Sequence, residues 1–183
     1  MTYEITSPIE AKPTTEAKVA QLFGLRGDAW MRHSNPRSVW SRFTCVSLLA
    51  LAVWSREWIG WYSLIPIVAA VAWTWFNPRL FGVPTSTKNW ASKAVFGERI
   101  WSDRRDIDIP GQFTPRVFNL ANAYSGIGMA MLVYALVTLN AWMAVAGIVI
   151  VHGGKLWYMD RMVLLFDDMK QRNATYASWE YGS

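Results

Sequence analysis

Four stretches of this chain are apolar and close to the length needed to cross a lipid bilayer. They cover about 38–55, 58–76, 117–139 and 141–159. A helix needs roughly 20 mostly apolar residues to pass through the hydrocarbon layer. Because only a short turn separates the members of each pair, the pattern predicts an all-α protein. Its architecture would be a four-helix transmembrane bundle of two helical hairpins.

The basic residues lie almost entirely at one end of these predicted helices. Of the 18 lysines and arginines, Arg56 alone falls in an outer turn, where it adjoins Glu57. The others lie at or before the start of the first span, in the central loop, or at and beyond the inner end of the fourth span. Lysine and arginine in short loops stay on the cytoplasmic side during insertion. We therefore expect a multi-pass protein of the cell membrane with both termini in the cytoplasm.

The composition fits a membrane better than a nucleic acid. Twelve tryptophans suit a membrane boundary, where one side of the ring meets lipid and the other meets water. A net charge of +5 would also suit a nucleic-acid binder. However, basic residues beside apolar spans are explained by topology and by anionic lipid headgroups. Membrane lipids are thus the expected partners, and no nucleic acid is expected.

The domain organisation follows from the same pattern. Residues 1–15 are expected to form a disordered tail, residues 16–172 a single four-span membrane domain, and residues 173–183 a C-terminal tail. Interfacial amphipathic helices are expected on the cytoplasmic face over 16–31 and 88–101. The second of them would lie along the membrane with its tryptophans toward the lipid.

The tripeptide Asn-Pro-Arg occurs at both ends of the first predicted hairpin. If that hairpin turns at Arg56, Asn35 and Asn77 lie at the same depth. Both tripeptides are then either simple helix-boundary signals or parts of one headgroup site that contains Arg37 and Arg79.

The second predicted hairpin turns near Leu139–Asn140 and brings polar residues to matching depths. His152 would lie level with Gly126 to Gly128, Lys155 opposite Tyr124, and Asp160 opposite Asn119. We expect hydrogen bonds between spans three and four that shield these intramembrane groups from lipid. Gly126 and Ala130 would allow a neighbouring helix to approach closely.

Some residues also fit a catalytic or cofactor hypothesis. His152 is ionisable within a span and could bind haem or relay protons, and Asp160, Asp167 and Asp168 could hold a magnesium ion. Yet the spacing matches no metal-binding loop, and no Glu-x-x-His pair or glycine-rich phosphate loop is present. Asp168 and Arg172 are spaced as a solvated helical ion pair. No catalytic residue, metal site or cofactor is therefore predicted.

Several motifs of the chain occur together in one known family. They are WMRHSNP at 30–36, NPR at 77–79, GERIW at 97–101 and KLWYMDRM at 155–162. With them the sequence resembles a family of small, uncharacterised microbial membrane proteins, catalogued as a domain of unknown function. The resemblance covers roughly residues 23 to 169. It implies a multi-span membrane protein and carries no activity.

Two functional hypotheses follow. The favoured one is a non-enzymatic membrane protein whose cytoplasmic face binds anionic lipid headgroups, docks a protein partner, or pairs with a second copy. Its surface would include Arg37, Arg79, Arg99 and Arg161. The alternative is a membrane enzyme or a haem or metal protein that uses His152 and the three aspartates.

Overall fold

The computed structural model describes Thr14, Lys18 and residues 29–182. All regular structure in this part of the chain is helical, which confirms the all-α prediction. The tail predicted over 1–15 lies outside the described residues apart from Thr14. The same holds for the helix predicted over 16–31, apart from Lys18 and residues 29–31.

The described chain forms nine α-helices and one 3-10 turn. In order, these are α1 (Ala29–His33), α2 (Pro36–Arg42), α3 (Thr44–Trp54), α4 (Arg56–Ile59), the 3-10 turn (Gly60–Ser63), α5 (Leu64–Leu80), α6 (Trp90–Ser102), α7 (Pro115–Thr138), α8 (Ala141–Arg172) and α9 (Ala174–Ala177). Two helical stretches are long and apolar enough to cross a membrane, Pro36–Leu80 and Pro115–Thr138. The first of these stretches contains a turn and therefore folds back on itself.

The first hairpin pairs α2 and α3 with α5. The chain reverses at Gly60, whose φ of 55° and ψ of −130° suit a residue without a side chain. Asn77 Nδ2 donates to Ser41 Oγ (2.8 Å), whereas Asn35 Nδ2 donates to the Gly82 carbonyl (2.9 Å). The expected alignment of Asn35 with Asn77 is therefore wrong by more than one helical turn. The hairpin reverses near Gly60 rather than at Arg56.

The second hairpin turns where the sequence predicts. Leu139 adopts the left-handed conformation (φ 57°), and Asn140 caps α8 by accepting from the Met143 amide (3.0 Å). Across the hairpin, Gly128 meets Val151, Gly147 meets Leu132, and Gly154 meets Ser125. These contacts confirm the predicted depth register.

Three glycines allow α7 and α8 to touch backbone to backbone. A Cβ atom on Gly128 would lie 2.7 Å from the Val151 nitrogen, and one on Gly147 would lie 2.8 Å from the Leu132 nitrogen. A Cβ on Gly154 would lie 2.9 Å from the Ser125 nitrogen. At Gly126, no atom of the described residues lies within 4 Å of the corresponding position. The close approach of α7 and α8 therefore uses these three glycines, and not Gly126, where the sequence predicts a helix contact.

The two hairpins pack side by side with their turns at the same end. Helix α3 contacts α5 on one side and α7 and α8 on the other. The Arg56 guanidinium donates to the Leu136 carbonyl near the second turn. Buried alanines fill the space between the hairpins, together with Leu132. The open ends of both hairpins therefore lie together at the other end of the bundle. We call this end the polar end.

Helix α6 covers the second half of α8 at the polar end. A core of buried residues joins the two helices and the start of α7: Phe96, Ile100, Trp101, Phe118, Met162, Leu165 and Phe166. Trp101 is 2% exposed and its ring lies 4.1 Å from that of Phe118. The expectation that its tryptophans face lipid is wrong for Trp101, because the apolar face of α6 packs on α8 instead.

The C-terminal segment, residues 174–182, packs on this polar end. Thr87 Oγ1 donates to the Trp179 carbonyl (2.8 Å), and the Thr87 amide donates to the Tyr181 carbonyl (2.9 Å). The Trp179 ring also lies 5.7 Å from that of Phe96. The sequence places these residues in a tail outside the domain, but their contacts make them part of the folded unit.

The glycine contacts yield a paired stability prediction. Gly128→Ala should lower the thermal unfolding midpoint in detergent, because the new methyl group overpacks the helix contact by about 1–3 kcal/mol. Gly126→Ala should leave the midpoint unchanged or raise it, because alanine favours a helix over glycine by up to about 1 kcal/mol. Equal midpoints for the two variants would contradict the described packing.

Candidate functional site

Exposed aromatic side chains gather at both ends of the bundle. At the turn end, Trp61 is 88% exposed and Trp142 is 85% exposed. Near the polar end, Trp40, Trp75 and Trp157 are exposed. Between Trp142 and Trp157, α8 rises about 22 Å, and the exposed side chains in this zone are mainly aliphatic. Aromatic rings above and below an apolar zone are typical of proteins that contact both membrane surfaces.

Arg37 and Arg79 lie at the polar end of the first hairpin. Both side chains belong to exposed residues. The Arg79 guanidinium lies 4.4 Å above the ring of Trp75 and donates to the Trp75 carbonyl (2.5 Å). The Asn35–Gly82 hydrogen bond ties the start of α2 to the chain that leaves α5. The structure therefore places these two arginines at one end of one hairpin, beside exposed tryptophans.

Arg99 and Arg161 have other surroundings. The Arg99 guanidinium lies 4.4 Å above the ring of Trp179 in the C-terminal segment. Arg161 Nη2 donates to Asp160 Oδ2 (2.9 Å), and the side chain lines a cavity between α8 and the start of α7. The four predicted arginines thus do not share one set of contacts.

A basic cluster of His33, Arg42, His152 and Lys155 lies where α1 to α3 meet α8. Arg42 is hydrogen-bonded to the His33 ring and donates to the His33 carbonyl (3.3 Å). Lys155 Nζ lies 4.9 Å above the ring of Phe43. The carboxylate of Glu98, on α6, interacts electrostatically with both Arg42 and Lys155.

His33 is neutral at pH 7 within this cluster. Burial, and next the charges of Arg42 and Lys155, hold the pKa of His33 well below its ordinary value of 6.5. A neutral ring nitrogen can accept a hydrogen bond from the Arg42 guanidinium. The arginine is thus held by an uncharged partner, and Glu98 supplies a negative charge nearby.

The polar residues that the sequence places within the membrane pair only partly as predicted: Ser125 Oγ on α7 donates to the Val151 carbonyl on α8 (3.4 Å), but His152 has other partners. His152 Nε2 lies 2.7 Å from the Phe43 carbonyl oxygen and Nδ1 lies 2.8 Å from the Ile148 carbonyl oxygen. Its partner across the bundle therefore lies at the break between α2 and α3, not on α7. Asn119 and Tyr124 are exposed, although the Tyr124 ring still lies beside Gly153 of α8. The depth register is correct, but these two side chains are exposed rather than buried between the helices.

The three aspartates of the enzyme hypothesis are paired with different basic residues. Asp160 pairs with Arg161, and Asp168 Oδ2 accepts from Arg172 Nε (2.8 Å). Asp167 Oδ1 lies 3.1 Å from Lys93 Nζ and 2.8 Å from Lys170 Nζ. No group of three potential metal ligands occurs within the described ranges.

Lys93, Asp167, Lys170 and Glu180 form an ion network that attaches the C-terminal segment. Glu180 lies 3.2 Å from Lys93 Nζ and 2.7 Å from Lys170 Nζ. Burial by itself would raise the pKa of Glu180 and Asp167, but hydrogen bonds from the two lysines outweigh it and lower both pKa values. The same contacts raise the pKa of Lys170 despite its burial. Asp167, Lys170 and Glu180 are therefore ionised at neutral pH.

Sequence reasoning missed Arg42, Glu98 and this network. Arg42 is a basic residue inside the first predicted span, and this position is the signal that could have marked it as buried and partnered. Glu98 and Glu180 carried no such signal, because their partners are distant in the chain. Only the packing of α6 and the C-terminal segment on α8 brings them together.

Comparison with known families gives a match over nearly the whole chain. The profile of a family of unknown function (DUF6653) matches residues 14–181. The match extends beyond the 23 to 169 region of the motifs and includes Thr14, whose hydroxyl donates to the Ser102 carbonyl (2.7 Å). It also includes the C-terminal segment. Among curated proteins and among solved structures, no significant match was found.

The ion network leads to a pH-dependent prediction. Because the pKa of Glu180 is lower in the folded than in the unfolded chain, its ionised form stabilises the fold above the ordinary value of 4.5. This contribution is lost as the pH falls through the folded-state pKa. Glu180→Gln should lower the thermal midpoint at pH 7 and reduce the difference between the midpoints at pH 7 and about pH 3.

Glu57→Gln is the matched control for this experiment. Glu57 pairs with Arg56 at 3.5 Å with its side chain 42% exposed, and such surface pairs contribute at most about 1 kcal/mol. The control should therefore change neither the midpoint nor its pH dependence. Identical pH profiles for Glu180→Gln and the wild type would show that the network does not hold the segment.

Proposed function

This chain belongs to DUF6653, a family of unknown function, and we propose that it is a multi-pass membrane protein whose cytoplasmic face binds anionic lipid headgroups. In this proposal it has four spans in two hairpins, with both termini in the cytoplasm, and it catalyses no reaction. The observation that carries the proposal is the position of Arg37 and Arg79, which are exposed at the polar end beside exposed tryptophans.

The four spans would be α2–α3, α5, α7 and the apolar part of α8. Two stretches of the described chain are apolar enough to cross a membrane, and the first contains two antiparallel arms. Helix α8 packs on α7 through the three glycine contacts, so the two helices share one depth. Helices also satisfy their backbone hydrogen bonds internally, as the hydrocarbon layer requires.

The distribution of charge supports the orientation. Arg56 and Glu57 are the charged residues of the turn end, and they pair with each other. The remaining basic residues of the described chain lie toward the polar end. Under the positive-inside rule, the polar end faces the cytoplasm.

The contacts of Arg79 support headgroup binding. Its guanidinium lies over Trp75, and the nearby residues Phe76 and Leu80 of α5 also have exposed side chains. A long basic side chain beside apolar surface extends its charge to the headgroup layer while its stem covers the apolar surface. Arg37 has the equivalent position at the start of α2. Each basic residue near an anionic membrane surface adds about 1 kcal/mol of attraction.

The enzyme and cofactor hypothesis has less support. Both ring nitrogens of His152 contact backbone carbonyls, whereas an iron ligand needs one ring nitrogen directed at the metal. The aspartates are engaged by arginines and lysines. Of these ion pairs, Lys93–Asp167 joins α6 to α8, and the other two lie within α8. Partner docking and self-association would use the same arginine-rich face and remain secondary to lipid binding.

A topology experiment tests the orientation. Single cysteines at Arg105, in the loop after α6, and at Asn140, in the second turn, should differ in labelling by a membrane-impermeant maleimide added to intact cells. We expect labelling at position 140 and protection at position 105, since the turn end would face outward. Cys45 is buried and is replaced by alanine in both variants. Labelling at 105 alone would contradict the proposed orientation.

A lipid-binding experiment tests the proposed site. Arg37→Gln together with Arg79→Gln should reduce retention of phosphatidylglycerol by roughly thirtyfold, as measured by native mass spectrometry against phosphatidylcholine. The estimate is two contributions of about 1 kcal/mol each.

The matched control is Arg105→Gln together with Arg172→Gln. It removes the same charge from two other exposed residues toward the polar end. The control should retain phosphatidylglycerol as the wild type does. Equal loss in both double variants would mean that net charge, rather than the site at Arg37 and Arg79, controls binding.

A further inference from the structure

We propose that the cavity beside Arg161 binds the headgroup of an amine-bearing phospholipid, with the phosphate on Arg161 and the ammonium on Asp168. This inference rests on the proposed function, because it requires the polar end to lie at the depth of the headgroups. It adds a second site with its own chemistry, on the hairpin opposite to Arg37 and Arg79.

The cavity has a volume of about 420 Å³ and lies between α8 and the chain that enters α7. One part of its wall is polar and contains Gln112, Arg161 and Asp168. Another part is apolar and contains Val117 and Leu164. A ligand that fits this wall carries charge at one end and hydrocarbon at the other.

Arg161 supplies the positive side of the cavity. Its Nη2 donates to Asp160, but its Nε is buried and has no hydrogen-bond partner in the described part of the chain. That nitrogen is shielded from solvent, so a ligand in the cavity would be met by the Nη atoms of this side chain, which is 39% exposed. A guanidinium is well matched to phosphate oxygens, which accept from its planar fork of donors.

Asp168 supplies the negative side. Its carboxylate accepts from Arg172 Nε at 2.8 Å and from Gln112 Nε2 at 3.4 Å. Arg172 has a side chain that is 58% exposed, so this ion pair is screened by water and easily exchanged. A carboxylate offers about four acceptor positions, so it retains capacity for an ammonium group.

The spacing of the two charges fits a short zwitterion. Arg161 and Asp168 lie seven residues apart on α8, which places them on one face and two helical turns apart. A phosphate and an ammonium joined by two carbons, with a hydrogen bond at each end, cover this separation. A headgroup that carried only negative charge would place an unbalanced anion beside Asp168, which disfavours it.

An apolar path connects the cavity with the membrane zone. On α8, Leu164 and Trp157 are 45% and 42% exposed and flank Arg161 on the same face. On α7, Leu120 and Tyr124 follow Val117 at helical spacing and are exposed. Acyl chains that leave the cavity along these side chains would enter the hydrocarbon layer. This path favours a lipid over a soluble compound that carries the same phosphate and amine groups without acyl chains.

The test compares three lipids with the same acyl chains, phosphatidylethanolamine, phosphatidylglycerol and phosphatidylcholine, on the full-length protein in detergent by native mass spectrometry. The wild type should retain phosphatidylethanolamine above phosphatidylcholine. Arg161→Gln and Asp168→Asn should each reduce this retention about fivefold or more, since each removes a charge-assisted contact. Asp168→Lys should move the preference from phosphatidylethanolamine to phosphatidylglycerol.

Arg172→Gln is the matched control, because it frees Asp168 from its exposed partner and leaves the cavity lining unchanged. It should keep or increase retention of phosphatidylethanolamine. Unchanged retention in Asp168→Asn, or equal retention of phosphatidylethanolamine and phosphatidylcholine by the wild type, would overturn the inference. Full competition by glycerophosphoethanolamine would also overturn it, because the ligand would then be a soluble compound.

The two proposals fail separately. One outcome is that retention of phosphatidylglycerol depends on Arg37 and Arg79 while retention of phosphatidylethanolamine is unchanged by the substitutions at Arg161 and Asp168. That result would support headgroup binding and contradict the second site. If neither lipid is retained above phosphatidylcholine, the proposed function and the second site are both contradicted.

Discussion

The structure depends on the backbone contact between α7 and α8. At Gly128, Gly147 and Gly154 the two helices approach so closely that a Cβ atom would meet the backbone of the opposite helix. Lipid gives little hydrophobic drive to bring helices together, so close van der Waals packing of small residues is the main attraction available within a bilayer. This contact sets the position of α8, and α8 in turn carries most of the polar end.

Helix α8 is long enough to connect the apolar part of the bundle with the polar end. With 32 residues, the helix extends for about 48 Å, more than the roughly 30 Å thickness of a hydrocarbon layer. Its first part packs against α7, and its last part presents Met162 and Phe166 to α6. The ion network around Lys93 and Lys170 then attaches the C-terminal segment to the same surface. One continuous helix thus joins the proposed membrane zone to the polar end.

Charged groups between these two regions are paired with partners from other elements. Arg42 is held by the neutral His33 and influenced by Glu98, and His152 contacts the carbonyl at the break between α2 and α3. Such partners lower the cost of polar groups near the apolar zone. The arginines that remain at the surface, Arg37 and Arg79, are those we assign to lipid. The cavity at Arg161 differs because it combines both signs of charge.

The sequence was sufficient for features that depend on local pattern. Apolar length predicted the helices, and the Leu139–Asn140 turn predicted the register of the second hairpin, because equal rise along two helices pairs their depths. The first hairpin was placed less well, since the φ of Gly60 rather than the charge at Arg56 decides where it reverses. The sequence also does not fix how the faces of α7 pack, so it does not predict that Asn119 and Tyr124 are exposed.

By itself, then, the sequence determined the helical class, the two tightly turned hairpins and the end of the bundle at which the basic residues lie. These follow from periodicity and from charge position, which are properties of neighbouring residues. Only the tertiary structure decided that α6 covers α8, that Glu180 meets Lys93, and that Arg161 and Asp168 line one cavity. Those contacts join residues far apart in the chain, and they depend on how helix faces are rotated when side chains pack.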